Sequence, residues 1–296
     1  MSTTRPSLAG WARLALALSL LPLLAMAGCA AVMANLVKAS ATEQRSFTAS
    51  SQPSVIVDTY NGPITVKAVS EDKVEATVTK TGSGANKEAA EADLKNVSVD
   101  YSQDGETVRI VARRTGPKSF GSSGAAVELT VPARAILSLT TSNGEITSEG
   151  TQGQITARSS NGKVDIRGAK GKLDLETSNG AIVIDATEAT LAAGTSNGDI
   201  HFAGTLDKGK HTLATSNGSI ELVLPAAAQF QFEASTSNGT VTNRFPGLQP
   251  SSGKPGSNRL AGQVGSGSNA DIDLKLETSN GGITLEPAPS AEAPRP

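Results

Sequence analysis

The chain has 296 residues, with 26 Lys and Arg against 28 Asp and Glu, 30 Gly, two His, one Cys and only 3% aromatic residues. The near-balance of charge excludes nucleic acid as the natural partner, since no basic excess is present to neutralise phosphates. A single Cys excludes a disulfide framework and Cys-rich zinc sites, and a chain so poor in large aromatics must build its core from Ile, Leu, Val and Ala.

Residues 1–28 read as an export signal. Arg5 and Arg13 form a positive flank, an apolar run follows from Leu14 to Ala27, and Gly28-Cys29 closes it. The stretch Leu24-Ala25-Met26-Ala27-Gly28-Cys29 resembles a bacterial lipobox, in which the Cys becomes the lipidated first residue of the mature chain; Met26 stands where Leu is most usual. The alternative is an uncleaved helical anchor over Leu14–Val37, because about 20 apolar residues suffice to span a bilayer. Either way, residues 40–296 lie outside the cytoplasm and are tethered to a membrane. Residues 29–49 are expected to be a membrane-proximal linker.

Residues 40–140 carry strand alternation without a strict repeat. Val55–Val57, Ile64–Val66, Val74–Val78, Val97–Val99, Val108–Ile110 and Val127–Val131 read as strands, with Val131-Pro132 ending the last. Asn86–Leu94, containing Lys-Glu-Ala-Ala-Glu-Ala, reads as one short helix. Asn61-Gly62 reads as a diverged copy of the corner described next.

From residue 140 the sequence repeats. Ser-Asn-Gly recurs at Asn143-Gly144, Asn161-Gly162, Asn179-Gly180, Asn197-Gly198, Asn217-Gly218, Asn238-Gly239 and Asn280-Gly281, at intervals of 18, 18, 18, 20, 21 and 42 residues. Thr precedes it at positions 141, 177, 195, 215, 236 and 278. The last interval is twice 21, so a degenerate copy is expected within the Gly/Ser/Pro-rich stretch 246–269. Each repeat holds two halves with apolar residues at alternate positions, the period of a half-buried strand. Asn-Gly is expected to supply the positive φ of a tight reversal.

A meander would close a hairpin at each Asn-Gly. Stacked coils instead place like on like, giving an asparagine ladder and an inward threonine column. The constant period therefore predicts an all-β fold. It is a single-stranded β-solenoid of 18–21-residue coils with Ser-Asn-Gly corners, preceded by an irregular β segment with one short helix. The solenoid domain spans 50–286, its regular repeats 140–286, and the proline-rich tail 287–296 is expected to be disordered.

Chemistry-bearing constellations are scarce. His201 and His211 read as two solvent-facing histidines. The Ser and Thr of the repeat recur too often for a nucleophile, which a site needs once beside its base. The Asp residues 165, 174, 185 and 199 share no common offset for calcium. Asp165 and Asp185 could approach as a carboxylate pair of a glycan-cleaving site, but Lys163, Arg167 and Lys172 nearby point to a mixed, solvated face. The basic group Arg158, Lys163, Arg167, Lys170 and Lys172 is the place where an anionic envelope polymer would touch. No catalytic residue, cofactor or metal ligand is expected.

The leading β segment ending in Glu-Leu-Thr-Val-Pro (128–132), the successive Thr-Ser-Asn-Gly motifs, the Gly-rich stretch and the final Glu-Thr-Ser-Asn-Gly-Gly-Ile-Thr-Leu (277–285) together resemble the bacterial DUF4097 family, described as putative adhesins with a β-solenoid fold. The resemblance covers roughly residues 50–286 and implies an extracytoplasmic β-solenoid. The function expected is non-enzymatic: adhesion, envelope scaffolding or sensing, with the membrane as anchor and an envelope polymer or a protein as partner. The alternatives are a carbohydrate-active solenoid enzyme and an accessory protein of an envelope stress-response system.

Overall fold

A computed structural model describes residues 36–117, 123–265 and 271–289. Residues 1–28, expected to be an export signal, Cys29 and residues 290–296 of the tail lie outside the described residues. Val37, the last residue of the apolar stretch, is in a strand, and among the described residues no helix is long and apolar enough to cross a membrane.

The described residues open with a strand, β1 (Val37–Thr48), so the expected linker is corrected there: residues 37–48 pair antiparallel with β4. Then come β2 (Ser54–Thr59), β3 (Ile64–Val69), β4 (Lys73–Gly84), helix α1 (Lys87–Leu94), β5 (Val97–Asp104), β6 (Thr107–Arg114) and β7 (Gly124–Pro132). Asn86 caps α1, its Oδ1 accepting from the Ala89 N–H at 2.8 Å. The repeats supply β8 (Ile136–Thr141), β9 (Ile146–Glu149), β10 (Ile155–Ser159), β11 (Val164–Asn179), β12 (Ile182–Asn197), β13 (Ile200–Leu206), β14 (Gly209–Asn217) and β15 (Ile220–Leu224). The chain ends with β16 (Phe230–Asn238), β17 (Val241–Asn243), β18 (Leu248–Gly253), β19 (Arg259–Val264), β20 (Ile272–Asn280) and β21 (Ile283–Pro287).

These strands form a β-solenoid. Strands on either side of each Ser-Asn-Gly corner pair in parallel with the equivalent strands of neighbouring coils, which excludes a meander. One face runs β6, β2, β8, β10, the second half of β11, the second half of β12, β14, β20 and β16. The other runs β7, β3, β9, the first halves of β11 and β12, β13, β15, β21 and β17. Nine coils at a spacing of ~4.8 Å make a stack about 40 Å long.

Alternation packs the inward side chains between the two faces. On the second face Ile64, Ile146, Val164, Ile182, Ile200, Ile220, Ile283 and Val241 lie one above another, all buried. Each such side chain contributes about 1.5–3 kcal/mol by leaving water. Three aromatics cluster at the far end: Phe230 meets Phe245 edge-on at 5.2 Å and Phe232 at 6.0 Å.

Stacking order differs from chain order at both ends. The β2–β3 coil, first in the chain, is second in the stack, beneath the β6–β7 coil. Outside that coil lie β4 on β7, β1 on β4, and β5 on β6, all antiparallel. At the far end the last coil, β20–β21, enters between β14–β15 and β16–β17. The expected degenerate copy in 246–269 is therefore corrected. Leu248–Gly253 and Arg259–Val264 form a hairpin that lies antiparallel on β16 and closes the end. The doubled interval of 42 residues arises because the chain builds the outermost coil and its cap before returning to fill the coil beneath.

Candidate functional site

Each residue of Thr-Ser-Asn-Gly has a separate physical task. The first points inward and is buried, and its hydroxyl donates to the glycine carbonyl of the preceding coil. Thr141 donates to Gly62 O (3.0 Å), Ser159 to Gly144 O (3.0 Å), Thr177 to Gly162 O (2.9 Å) and Thr195 to Gly180 O (3.0 Å). Thr215, Thr278 and Thr236 do the same to Gly198, Gly218 and Gly281 at 2.9, 2.8 and 2.9 Å. Without that bond a buried hydroxyl would be costly, which is why the position takes only Thr or Ser.

The asparagines form one hydrogen-bonded ladder. The side-chain amide of each donates to Oδ1 of the next: Asn161 to Asn143 (2.9 Å), Asn179 to Asn161 (2.9 Å), Asn197 to Asn179 (2.8 Å) and Asn217 to Asn197 (2.8 Å). Asn280 then donates to Asn217 (2.8 Å) and Asn238 to Asn280 (2.9 Å), so the ladder follows the stack rather than the sequence. Asn61 lies beyond its first rung, with Nδ2 bonded to Ser123 O at 2.6 Å.

The glycines serve close approach. A Cβ on Gly162 would overlap the carbonyl oxygen of Gly144, and the same holds for Gly180 over Gly162, Gly198 over Gly180 and Gly218 over Gly198. Positive φ is confined to Gly62 (136°) and Gly281 (154°) among these corners, and no described asparagine has it. The expectation that Asn-Gly supplies a left-handed reversal is corrected: a β-carbon has no room where the coils touch.

The serines form the outward product of this arrangement. Ser142, Ser160, Ser178, Ser196, Ser216, Ser279 and Ser237 are all exposed, one per coil, in a column beside the equally exposed asparagines. Next to them a shallow depression of about 410 Å³ crosses β11, β12 and β14, because Ala192, Gly194 and Ala214 are small; Asp174 and Glu176 rim it.

The charged candidates are mostly paired. Asp165 is buried rather than solvated, which corrects the mixed-face reading. Its carboxylate accepts from Arg167 (2.9 Å) and Lys163 (2.6 Å), and these bonds, led by Arg167, hold it below the usual carboxylate range despite burial. Arg158 reaches Asp174 (3.5 Å) and Glu176 (3.4 Å), and Lys170 reaches Glu188 (2.6 Å). The basic group expected to meet anionic polymer is thus largely neutralised by its own neighbours; Lys172 alone of the five has no ion pair among the described residues. Asp185 makes no strand pair with Asp165, which lies opposite Val183.

The two histidines differ. His201 points outward and meets Glu221 of the next coil at 2.9 Å. His211 is buried, correcting the solvent-facing expectation. Its Nδ1 accepts the Leu191 N–H (3.2 Å) and its Nε2 donates to Asp207 O (3.0 Å), and burial lowers its pKa. No group of three His, Cys, Asp or Glu that could hold a metal occurs among the described residues.

At the N-terminal cap, Arg114 and the nearly buried Asp93 of α1 pair at 2.6 Å, and Asp93 also accepts the Ser83 N–H at 2.9 Å. Arg114 additionally holds Pro117 O and Ser123 Oγ. Arg45 of β1 lies 5.1 Å from the Tyr101 ring centroid on β5, joining the two faces over the end. Nothing in the sequence separation of 93 and 114 or of 45 and 101 signals these contacts.

The parallel coils with Thr-Ser-Asn-Gly corners define a repetitive β-solenoid. The chain belongs to the Toastrack DUF4097 family, whose model matches residues 136–286. Among solved structures it is similar to a putative adhesin from Bacteroides fragilis NCTC 9343, at 12% identity over 83% of this chain and 97% of that one, with a TM-score of 0.44. A putative cell adhesion protein from Clostridium sporogenes ATCC 15579 aligns at 13% identity over 84% of this chain and 100% of that one, with a TM-score of 0.35. A putative lipid binding protein from Parabacteroides distasonis ATCC 8503 aligns at 11% identity over 83% and 97%, with a TM-score of 0.28. No curated protein matches the sequence.

Proposed function

We propose that this chain is a non-enzymatic β-solenoid, exported and tethered to a membrane through a lipid on Cys29, that works in adhesion, envelope scaffolding or sensing. The observation that carries this reading is the paired serine and asparagine columns, exposed at one position per coil along the stack. A row of identical hydroxyls and amides ~4.8 Å apart offers many weak contacts to an extended polymer or to a partner surface. Such contacts gain strength through multivalency, by about 10²-fold or more when many engage together. The lipobox-like segment ending at Cys29 supports the tether, since a lipid on that Cys would anchor the chain shortly before β1.

Two measurements test it. Mass spectrometry of the membrane-extracted N-terminus should find an acylated peptide starting at Cys29, and an intact Met1 or Ser2 peptide refutes the lipid. Binding to envelope fragments should be strong for chains displayed densely on liposomes and weak for detergent-dispersed monomers. It should fall when Ser160, Ser196 and Ser279 are all changed to Glu. Tight one-to-one binding with turnover of a glycan would refute the non-enzymatic reading.

A further inference from the structure

We infer that Asn238-Gly239, at the open end of the asparagine ladder, is a site of spontaneous covalent modification that converts Asn238 to aspartate and isoaspartate, while the ladder shields its inner rungs from the same reaction. Asn-Gly is a labile dipeptide because no β-carbon hinders the nitrogen that follows the asparagine. The chain carries eight of them, at asparagines 61, 143, 161, 179, 197, 217, 238 and 280.

The reaction needs two freedoms. The main-chain nitrogen of the glycine must lose its proton and attack Cγ of the asparagine, and the side-chain carboxamide must rotate to meet it. Ammonia leaves as the succinimide ring closes, and water then opens the ring at either carbonyl. One water is consumed and one ammonia released, with no change of oxidation state.

Inner rungs lack these freedoms. Asn179, Asn197, Asn217 and Asn280 each donate through Nδ2 and accept through Oδ1. Their glycines are engaged as well, each donating its N–H to the asparagine carbonyl of the next coil: Gly180 to Asn197 (3.1 Å), Gly198 to Asn217 (3.1 Å), Gly218 to Asn280 (3.0 Å) and Gly281 to Asn238 (3.2 Å). Asn161 is held at both ends of its side chain although Gly162 makes no such bond. Asn61 is tied to Ser123 O, and Gly62 donates to Asn143 O at 2.9 Å.

Asn238 differs from these rungs in its acceptor oxygen and in the glycine that follows it. It donates to Asn280, but its Oδ1 accepts nothing among the described residues, and the Gly239 N–H has no partner among them. Gly239 is exposed, whereas the other six repeat glycines are half-buried. Asn143, at the other end of the ladder, has one side-chain bond but lies against the Asn61-Gly62 coil, and ranks second. Conversion at 238 removes the amide that donates to Asn280 and sets a carboxylate against its Oδ1, opening the ladder at its outermost rung.

The test is peptide mapping of the full chain in detergent, incubated at mildly alkaline pH and labelled by an isoaspartate-specific methyltransferase, beside the same chain in guanidinium. In the folded chain, isoaspartate at 238 should form about tenfold or more faster than at 179, 197, 217 or 280, since each hydrogen bond that must open slows the reaction severalfold. In guanidinium the eight sites should converge. Asn238→Gln, which keeps a carboxamide in the ladder, should abolish the dominant label. Equal labelling of Asn179 and Asn238 in the folded chain overturns the assignment. So does a label that survives Asn238→Gln, or an unmodified Asn238 when the denatured chain has reacted.

Discussion

The side-chain amide of Asn280 donates to Oδ1 of Asn217 at 2.8 Å, across 63 residues of sequence, and Asn280 in turn accepts from Asn238 at 2.9 Å. The last coil of the chain is therefore an inner rung of the ladder, the last but one. This ordering can be tested by crosslinking. In a Cys29→Ser background, Ser216→Cys with Ser279→Cys places two thiols on directly neighbouring strands and should form a disulfide on oxidation. Ser216→Cys with Ser237→Cys places them two coils apart, near 10 Å, beyond the ~7 Å limit of a disulfide. A crosslink in the second pair and none in the first would mean that the coils stack in chain order.

Gly180→Ala forces a β-carbon into the Gly162 carbonyl, and should cost about 3 kcal/mol, the upper end of the usual overpacking range. Gly194→Ala, within β12, meets nothing nearer than Ala214 O at 3.9 Å, and should be near neutral. Thermal unfolding of the two variants measures the difference. Equal melting temperatures would show that the glycine column is not set by close approach.

Thr177→Val keeps the shape but removes the hydroxyl that reaches Gly162 O, and should destabilise by about 1–2 kcal/mol. Thr177→Ser should recover most of that loss, because Ser159 makes the same bond one coil earlier at 3.0 Å. Denaturant titration of the three proteins compares them directly.

The repeat made the coil readable because stacking demands the same residue at the same place in every turn: Thr inward, Asn in the ladder, Gly at the contact. What lies outside that demand was hidden. His211 occupies an inward position paired with Leu274, yet its chemistry reads as a surface residue until Leu191 N–H and Asp207 O are found around the ring. Asp165 takes an outward position and is buried only because Lys163 and Arg167 fold over it, a side-chain event with no period. The hairpin 248–264 and the inserted coil are long-range pairings, and spacing alone shows the doubled interval without its cause.

Because burial lowers the His211 pKa below 6.5, against the opposing pull of Asp207 and Asp273, the folded protein binds this proton less well than the unfolded chain does. Its contribution to stability is complete above about pH 6.5 and is lost as pH falls from there toward the lowered folded value. Melting temperatures should therefore decline between pH 7 and pH 5. His211→Leu should flatten that part of the profile while costing stability at every pH, since Leu191 N–H loses its acceptor. A slope unchanged by the substitution would assign the effect elsewhere.

Arg114→Met removes the guanidinium that pairs with the nearly buried Asp93 at 2.6 Å, and should destabilise the N-terminal cap by about 3 kcal/mol. Hydrogen exchange should show the loss as faster opening of α1 and β4, with the coils from residue 155 onward unchanged. Uniform acceleration along the whole stack would mean that the cap and coils open together.

The order in which the coils stack also sets a timetable. A chain delivered N-terminus first can lay down residues 136–224 turn upon turn, but residues 230–264 then arrive before the coil on which they rest. They find their permanent seat only when 272–287 slides in beneath them as a keystone. Completion is thereby deferred to the final strand, and a chain cut short after its hairpin carries an end that has nothing to sit on.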